Sequence, residues 1–166
     1  MDQPEKYAYI LDISVPSCGA AQRTTNIGPN TVIRPVVPTD VEELAQLMLA
    51  AYRGTIDDEG EEIEEARDAI DDFFSGSPIP SASMIASVDG AAASAVLVTL
   101  AGSGPFISYV VTHPVHERSG LATQVVTAAC RQLAESGVNE VSLVITDGNV
   151  ASEALFSKLG AVRLQS

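Results

Sequence analysis

The chain has 166 residues and a mass of 17.3 kDa, the size of one domain, and 46% hydrophobic against 19% charged residues excludes a wholly disordered polymer. Twenty-two acids against nine bases leave a net charge of −13, the wrong sign for neutralising nucleic-acid phosphates. The longest apolar run, Ala91 to Leu100, falls far short of the roughly 20 residues that span a bilayer. The opening Met1-Asp2-Gln3-Pro4-Glu5 lacks the regions of a signal peptide, and two cysteines, Cys18 and Cys130, make no disulfide framework. Together these features predict a cytoplasmic protein that engages neither nucleic acid nor membrane.

Tyr7 to Val15 places Tyr7, Tyr9, Leu11, Ile13 and Val15 on one side at period two, with Asp12 and Ser14 opposite, the pattern of a half-buried strand. Pro16 to Asn30 is rich in Ser, Gly, Thr, Asn and Pro and reads as a linker, so this strand is expected outside the main domain, which then covers residues 31–166. Thr31 to Pro35 is a short strand, and Thr39-Asp40-Val41-Glu42 has the spacing of a capping box that opens a helix ending near Arg53-Gly54. A second helix is predicted from about Glu61 to Phe74, stopped by Ser75-Gly76-Ser77-Pro78. Ser83 to Val88 and Ala92 to Leu100, joined by Asp89-Gly90, read as a hairpin. Phe106 to Thr112 has the largely apolar content of a central strand. A helix from about Gly120 to Ser136 follows, then a β-branched strand from Val138 to Thr146, a helix from Asn149 to Leu159 capped by Gly160, and a last strand from Ala161 to Leu164. The order is that of an α/β fold with a strand-helix-strand crossover from Phe106 to Ile145.

The loop from His113 to Ala122 joins the central strand to a helix and places Gly120 and small residues at the helix start. Such a turn presents several N-H groups at the positive end of a helix dipole, an anion site suited to a pyrophosphate; equally, Gly120 could serve only to let the turn close. Val110-Val111-Thr112-His113-Pro114 followed by Glu117-Arg118-Ser119-Gly120-Leu121-Ala122 resembles the acyl-CoA signature of the GCN5-related N-acetyltransferase (GNAT) superfamily, Gln/Arg-x-x-Gly-x-Gly/Ala. Gly120 and Ala122 match, whereas Glu117 stands where that family usually has Gln or Arg, with Arg118 one position later. Asn149, Leu155-Phe156 and Gly160 hold the places of a second family element.

The resemblance covers roughly Thr31 to Leu164 and implies a mixed, mostly antiparallel sheet, splayed at the cofactor site, with helices on both faces. It implies acetyl-CoA as cosubstrate: the pyrophosphate on the N-H groups of Arg118, Ser119, Gly120, Leu121, Ala122 and Thr123, the pantetheine along Val110, Val111 and Thr112, and Asn149 and Phe156 flanking the thioester. Many members carry a Tyr at the place of Phe156 as proton donor to the departing thiolate, and phenylalanine has no hydroxyl to give. Ser157, Tyr109 or a water is left for that task, or the domain binds acyl-CoA with little or no turnover, in a regulatory or pairing role. Glu59, Asp57 or a water is expected as base, with Tyr52 and Asp57 on the acceptor wall. The reaction implied is acetyl transfer to a primary amine of a small molecule or peptide by direct attack in a ternary complex.

Ten acids and one base, Arg67, lie between Asp57 and Asp72, either a field that draws a cationic amine or the solvated face of a helix. His113 and His116 are separated by Pro114 and lack a third ligand nearby, so no metal is expected. Cys130 reads as a core residue. A dinucleotide-binding reading fails because Thr31 to Asp40 contains no glycine. Family members usually continue past the strand matching Ala161 to Leu164 into one more strand. The surplus strand Tyr7 to Val15 could cover the edge this leaves, in its own chain or, as a homodimer, in a neighbour.

Overall fold

Residues 3–14 and 28–165 are described by the computed structural model of the chain; Val15, Cys18 and most of the expected linker lie outside them. Eleven regular elements follow in order: β1 (Lys6–Asp12), β2 (Thr31–Pro35), α1 (Val41–Tyr52), α2 (Ile63–Ser75), β3 (Met84–Val88), β4 (Ala91–Ala101), β5 (Gly104–Thr112), α3 (Leu121–Glu135), β6 (Glu140–Thr146), α4 (Val150–Leu159) and β7 (Val162–Arg163). The strands form one sheet in the order β2-β3-β4-β5-β6-β1-β7, antiparallel except where β5 meets β6.

The helices lie on both faces because each carries one apolar stripe and the central strands are apolar on both sides. Leu44, Leu47 and Met48 of α1 and Ala66, Ile70 and Phe73 of α2 pack with Ile85, Ala95, Leu97 and Val111 on one face. Val125, Val126, Ala129, Cys130 and Leu133 of α3 and Phe156 and Leu159 of α4 pack with Val96, Val98, Val141 and Leu143 on the other. Cys130 is fully buried there, as its place in the apolar pattern predicts. Asp89 and Gly90 take φ values of 51° and 83° in the hairpin turn, which lets β3 and β4 pair.

Two expectations are corrected. The first strand does not sit outside the main body: β1 pairs with β6 along its whole length, from Lys6 opposite Thr146 to Asp12 opposite Glu140, and β7 pairs on its far side. Its alternation holds, with Leu11 and Ile13 buried and Asp12 and Ser14 exposed. The Thr39 capping box does not form either. The chain turns instead on buried Asp40, whose carboxylate accepts two 2.8 Å bonds from Arg34 and one of 2.8 Å from the Val37 N-H. A bidentate guanidinium outcompetes a hydroxyl cap, and it holds the Asp40 carboxyl below its usual range. Glu42 turns to Arg67 and Gln46.

One irregularity in the sheet positions the site. Leu97 faces Tyr109 and Val98 faces Ile107, so Ser108 is an extra residue in β5, its Oγ 2.9 Å from Thr99 Oγ1. Such a bulge bends its strand. Pairing of β5 with β6 is confined to Phe106 with Ser142 and Ile107 with Leu143, directly before the bulge. From Ser108 onward the two parallel strands diverge.

Candidate functional site

The divergence opens a cleft of about 380 Å³ floored by Phe106 to Val110 of β5 and Leu143 to Thr146 of β6. Asn149, Ser152 and Phe156 close one side of it, and Tyr52, Asp57, Glu59 and Glu61 close the other. The edge of β5 that faces β6 carries no strand partner beyond Ile107, so its backbone groups are left for a ligand to pair with. A smaller pocket of about 110 Å³ shares Tyr52, Glu61 and Tyr109 with the cleft and reaches between α1 and α2.

Past the end of β5 the chain makes a short turn at Pro114–His116 and enters α3 through Arg118 at φ 60° and Gly120 at φ 84°. The Ser119 hydroxyl donates to the His116 carbonyl and fixes the turn. Among the described residues no group accepts from the N-H of Arg118, Gly120, Leu121, Ala122 or Thr123, and the first bond into the helix is Gln124 N to Gly120 O at 3.1 Å. Five N-H groups free among the described residues at the start of a 15-residue helix make an arrangement suited to an anion. A Cβ built on Gly120 meets nothing within 4 Å, so the space over the loop is open, and only the positive φ calls for glycine.

The wall formed by Tyr52, Asp57, Glu59 and Glu61 is set by α1 and the segment after it. Burial pushes the Tyr52 hydroxyl well above the ordinary phenol range, with Tyr109, Asp57 and Glu61 adding to the effect. Tyr109 is raised for the same first reason, with Asp72 contributing. Both phenols therefore hold their protons, and neither is hydrogen-bonded within the described residues. Thr146 Oγ1 donates to one oxygen of Asp57 at 2.7 Å and Asn149 Nδ2 donates to the other at 2.9 Å.

The structure gathers Tyr109, Glu59, Val110, Asn149, Phe156, Tyr52 and Asp57 around the cleft, and Arg118 to Thr123 at the loop beyond β5. Val111 and Thr112 are different: the cleft lining in β5 ends at Val110, Val111 points into the α1 and α2 core, and Thr112 bonds Ser94. Ser157 is not brought in; it is exposed on α4. Asn149, Ser152 and Phe156 follow the three- and four-residue steps that share one helix face, and Ser157 lies about 100° round from Phe156. That spacing could have found Ser152, which sequence reasoning missed. Lys6, Thr146 and Glu61 also line the cleft unforeseen. His113 uses its Nδ1 to accept the Val115 N-H. Among the described residues no group of three His, Cys, Asp or Glu side chains is placed to hold a metal, and no helix is long and apolar enough to cross a membrane.

The family model described as FR47-like protein matches residues 85–165, which contain β5, the loop, α3, β6 and α4. Solved structures match over more of the chain. The fold is that of the GCN5-related N-acetyltransferases. The GCN5-related N-acetyltransferase from Sphaerobacter thermophilus superposes with a TM-score of 0.75 at 13% identity, over 99% of this chain and 50% of that one. The ribosomal-protein-S18-alanine N-acetyltransferase from Escherichia coli gives 0.65 at 15% identity, over 78% and 76%. AAC(6')-Iy, solved with the bisubstrate analog CoA-S-monomethyl-acetylneamine, gives 0.60 at 19% identity, over 78% and 89%. The chain thus spans half the length of the Sphaerobacter protein. A search of curated proteins gave no match. The GNAT resemblance read from the two motifs is met by the whole mixed sheet, with β1 included.

Proposed function

We propose that the chain is an acetyl-CoA-dependent N-acetyltransferase that moves an acetyl group to a primary amine by direct attack. The observation that carries this reading is the joining of two features: five unpaired N-H groups at the start of α3, and a cleft leading from the diverging strands β5 and β6. The first suits a pyrophosphate and the second an extended arm that pairs with β5. Acetyl-CoA supplies the activated acyl group when bound. The loop Arg118 to Thr123 holds the phosphates, the free edge of β5 aligns the arm, and Phe156 keeps water from the reacting end.

Proton handling falls to the residues that line the cleft. Tyr109, which holds its proton, donates a hydrogen bond to the departing thiolate in place of the hydroxyl that Phe156 lacks. Glu59 has no cationic partner among the described residues and takes the proton of the incoming ammonium. The presence of phenylalanine at position 156 also favours a second reading, an acyl-CoA-binding domain with little turnover.

Isothermal titration with acetyl-CoA, with ATP as control, tests the cofactor site, and a screen of amine acceptors separates the two readings. Micromolar affinity for acetyl-CoA and none for ATP is the expected result. Gly120→Asp strains the backbone and brings a negative charge to the phosphates, and it is expected to weaken binding by about 100-fold or more. Retained affinity in that variant, in protein shown to be folded, would move the phosphates elsewhere.

A further inference from the structure

The segment between α1 and α2 is fastened to the corner between β6 and α4. Asp57 accepts from Thr146 Oγ1 at 2.7 Å with one oxygen and from Asn149 Nδ2 at 2.9 Å with the other. Asn149 in turn caps α4, its Oδ1 accepting from Ser152 N at 3.1 Å. Beside this chain of bonds Ile56 rests on Gly148: a Cβ there would meet Ile56 Cδ1 at 3.2 Å, and Gly148 has a φ of 86°. The polar and apolar contacts are separate, and both join the same two segments.

We infer that Asp57 is a positioning residue, a clasp that holds the acceptor wall and the cofactor side of the cleft as one body. This rests on the acyltransferase reading above. Asn149 cannot turn its amide without giving up either the α4 cap or the bond to Asp57, so its orientation is fixed and one Nδ2 hydrogen remains for a ligand. Ser152 and Phe156 stand on the helix that this cap starts. Tyr52, Glu59 and Glu61 flank Asp57 in the chain on the opposite wall. One carboxylate thereby sets the distance between the group that receives the proton and the end of the cleft where the thioester lies. Its oxygens are turned to Thr146 and Asn149, which suits a strut better than a base.

Four variants test the clasp: Asp57→Ala, Asp57→Asn, Asn149→Asp and the exchange Asp57→Asn with Asn149→Asp. Aspartate caps a helix as well as asparagine does, so Asn149→Asp keeps α4 and sets two carboxylates face to face. In the exchange the donor and acceptor merely trade places. Amide hydrogen exchange over residues 53–60 is expected to quicken about tenfold or more in Asp57→Ala and Asn149→Asp and to return towards wild type in the exchange. Acceptor KM is expected to rise more than kcat falls in the same two variants, and Asp57→Asn to lower kcat by less than about tenfold. A kcat loss of about 10²- to 10⁴-fold in Asp57→Asn with unchanged hydrogen exchange would make Asp57 the base and overturn the proposal. So would an exchange variant that stays as open as Asn149→Asp. If the wild-type protein neither binds acetyl-CoA nor turns over, the acyltransferase reading fails, while the hydrogen-exchange pattern still judges the clasp.

Discussion

At position 156 the side chain is a phenylalanine, 2% exposed, where the resemblance expects a hydroxyl, and Tyr52 and Tyr109 line the same cleft with phenols. Both have pKa values raised by burial, so the neutral form is the one that the folded protein favours. A phenol pKa raised above its ordinary value moves loss of the proton to higher pH, so any alkaline decline of the rate that is due to Tyr109 should lie above the range in which an ordinary tyrosine titrates. Tyr109→Phe is expected to lower kcat by about 10²-fold with little change in acetyl-CoA affinity, and adding Phe156→Tyr should restore part of it. Steady-state kinetics and titration on the three proteins decide this. A Tyr109→Phe enzyme of undiminished kcat would give the proton to water. Residue types alone could not separate Ser157 from Tyr109 as candidates, since both carry a hydroxyl; the helix face turns Ser157 outward, while Tyr109 lines the cleft.

Among the elements, β1 shows best what a local pattern contains and what it omits. Its seven residues pair in full with β6, Leu11 is completely buried, and Arg163 of β7 stacks on the Tyr7 ring at 3.3 Å. Leu11→Ala should therefore cost about 2–5 kcal/mol and lower the melting midpoint by roughly 5–15 °C. Deleting residues 1–14 should expose the β6 edge and produce oligomers at chromatography, and unchanged stability and size would show that β1 is dispensable. The alternation of Tyr7, Tyr9, Leu11 and Ile13 was legible because period two needs only neighbours. The partner was not, because strand pairing is chosen by edges that lie far apart in sequence. The same contrast holds for Thr39, whose spacing suits a cap while Arg34 and Asp40 settle the turn through a bidentate pair. The bulge at Ser108 left no mark either, since no glycine flags it. The loop at Gly120 was legible because its φ of 84° restricts the residue itself.

For the whole molecule the governing quantity is a net charge of −13, carried heavily by α2 and the segment before it. Acetyl-CoA is itself anionic, so two effects of opposite sign act on it. The summed field repels it over distances of the order of the Debye length, about 30 Å at 0.01 M salt and about 8 Å at 0.15 M. On the proposed reading the five free N-H groups and Arg118 would attract it at contact, where salt screens little. Raising the salt from 0.01 to 0.15 M removes most of the repulsion and leaves most of the attraction, so acetyl-CoA affinity should increase, by about two- to tenfold. A cationic amine feels the reverse, drawn in by the same acids, and its KM should rise over the same range. Titration and kinetics at the two salt concentrations test both signs at once. Affinity for acetyl-CoA that falls with salt in the wild type but not in Arg118→Gln would mean that one exposed guanidinium, and not the backbone cradle, dominates phosphate binding.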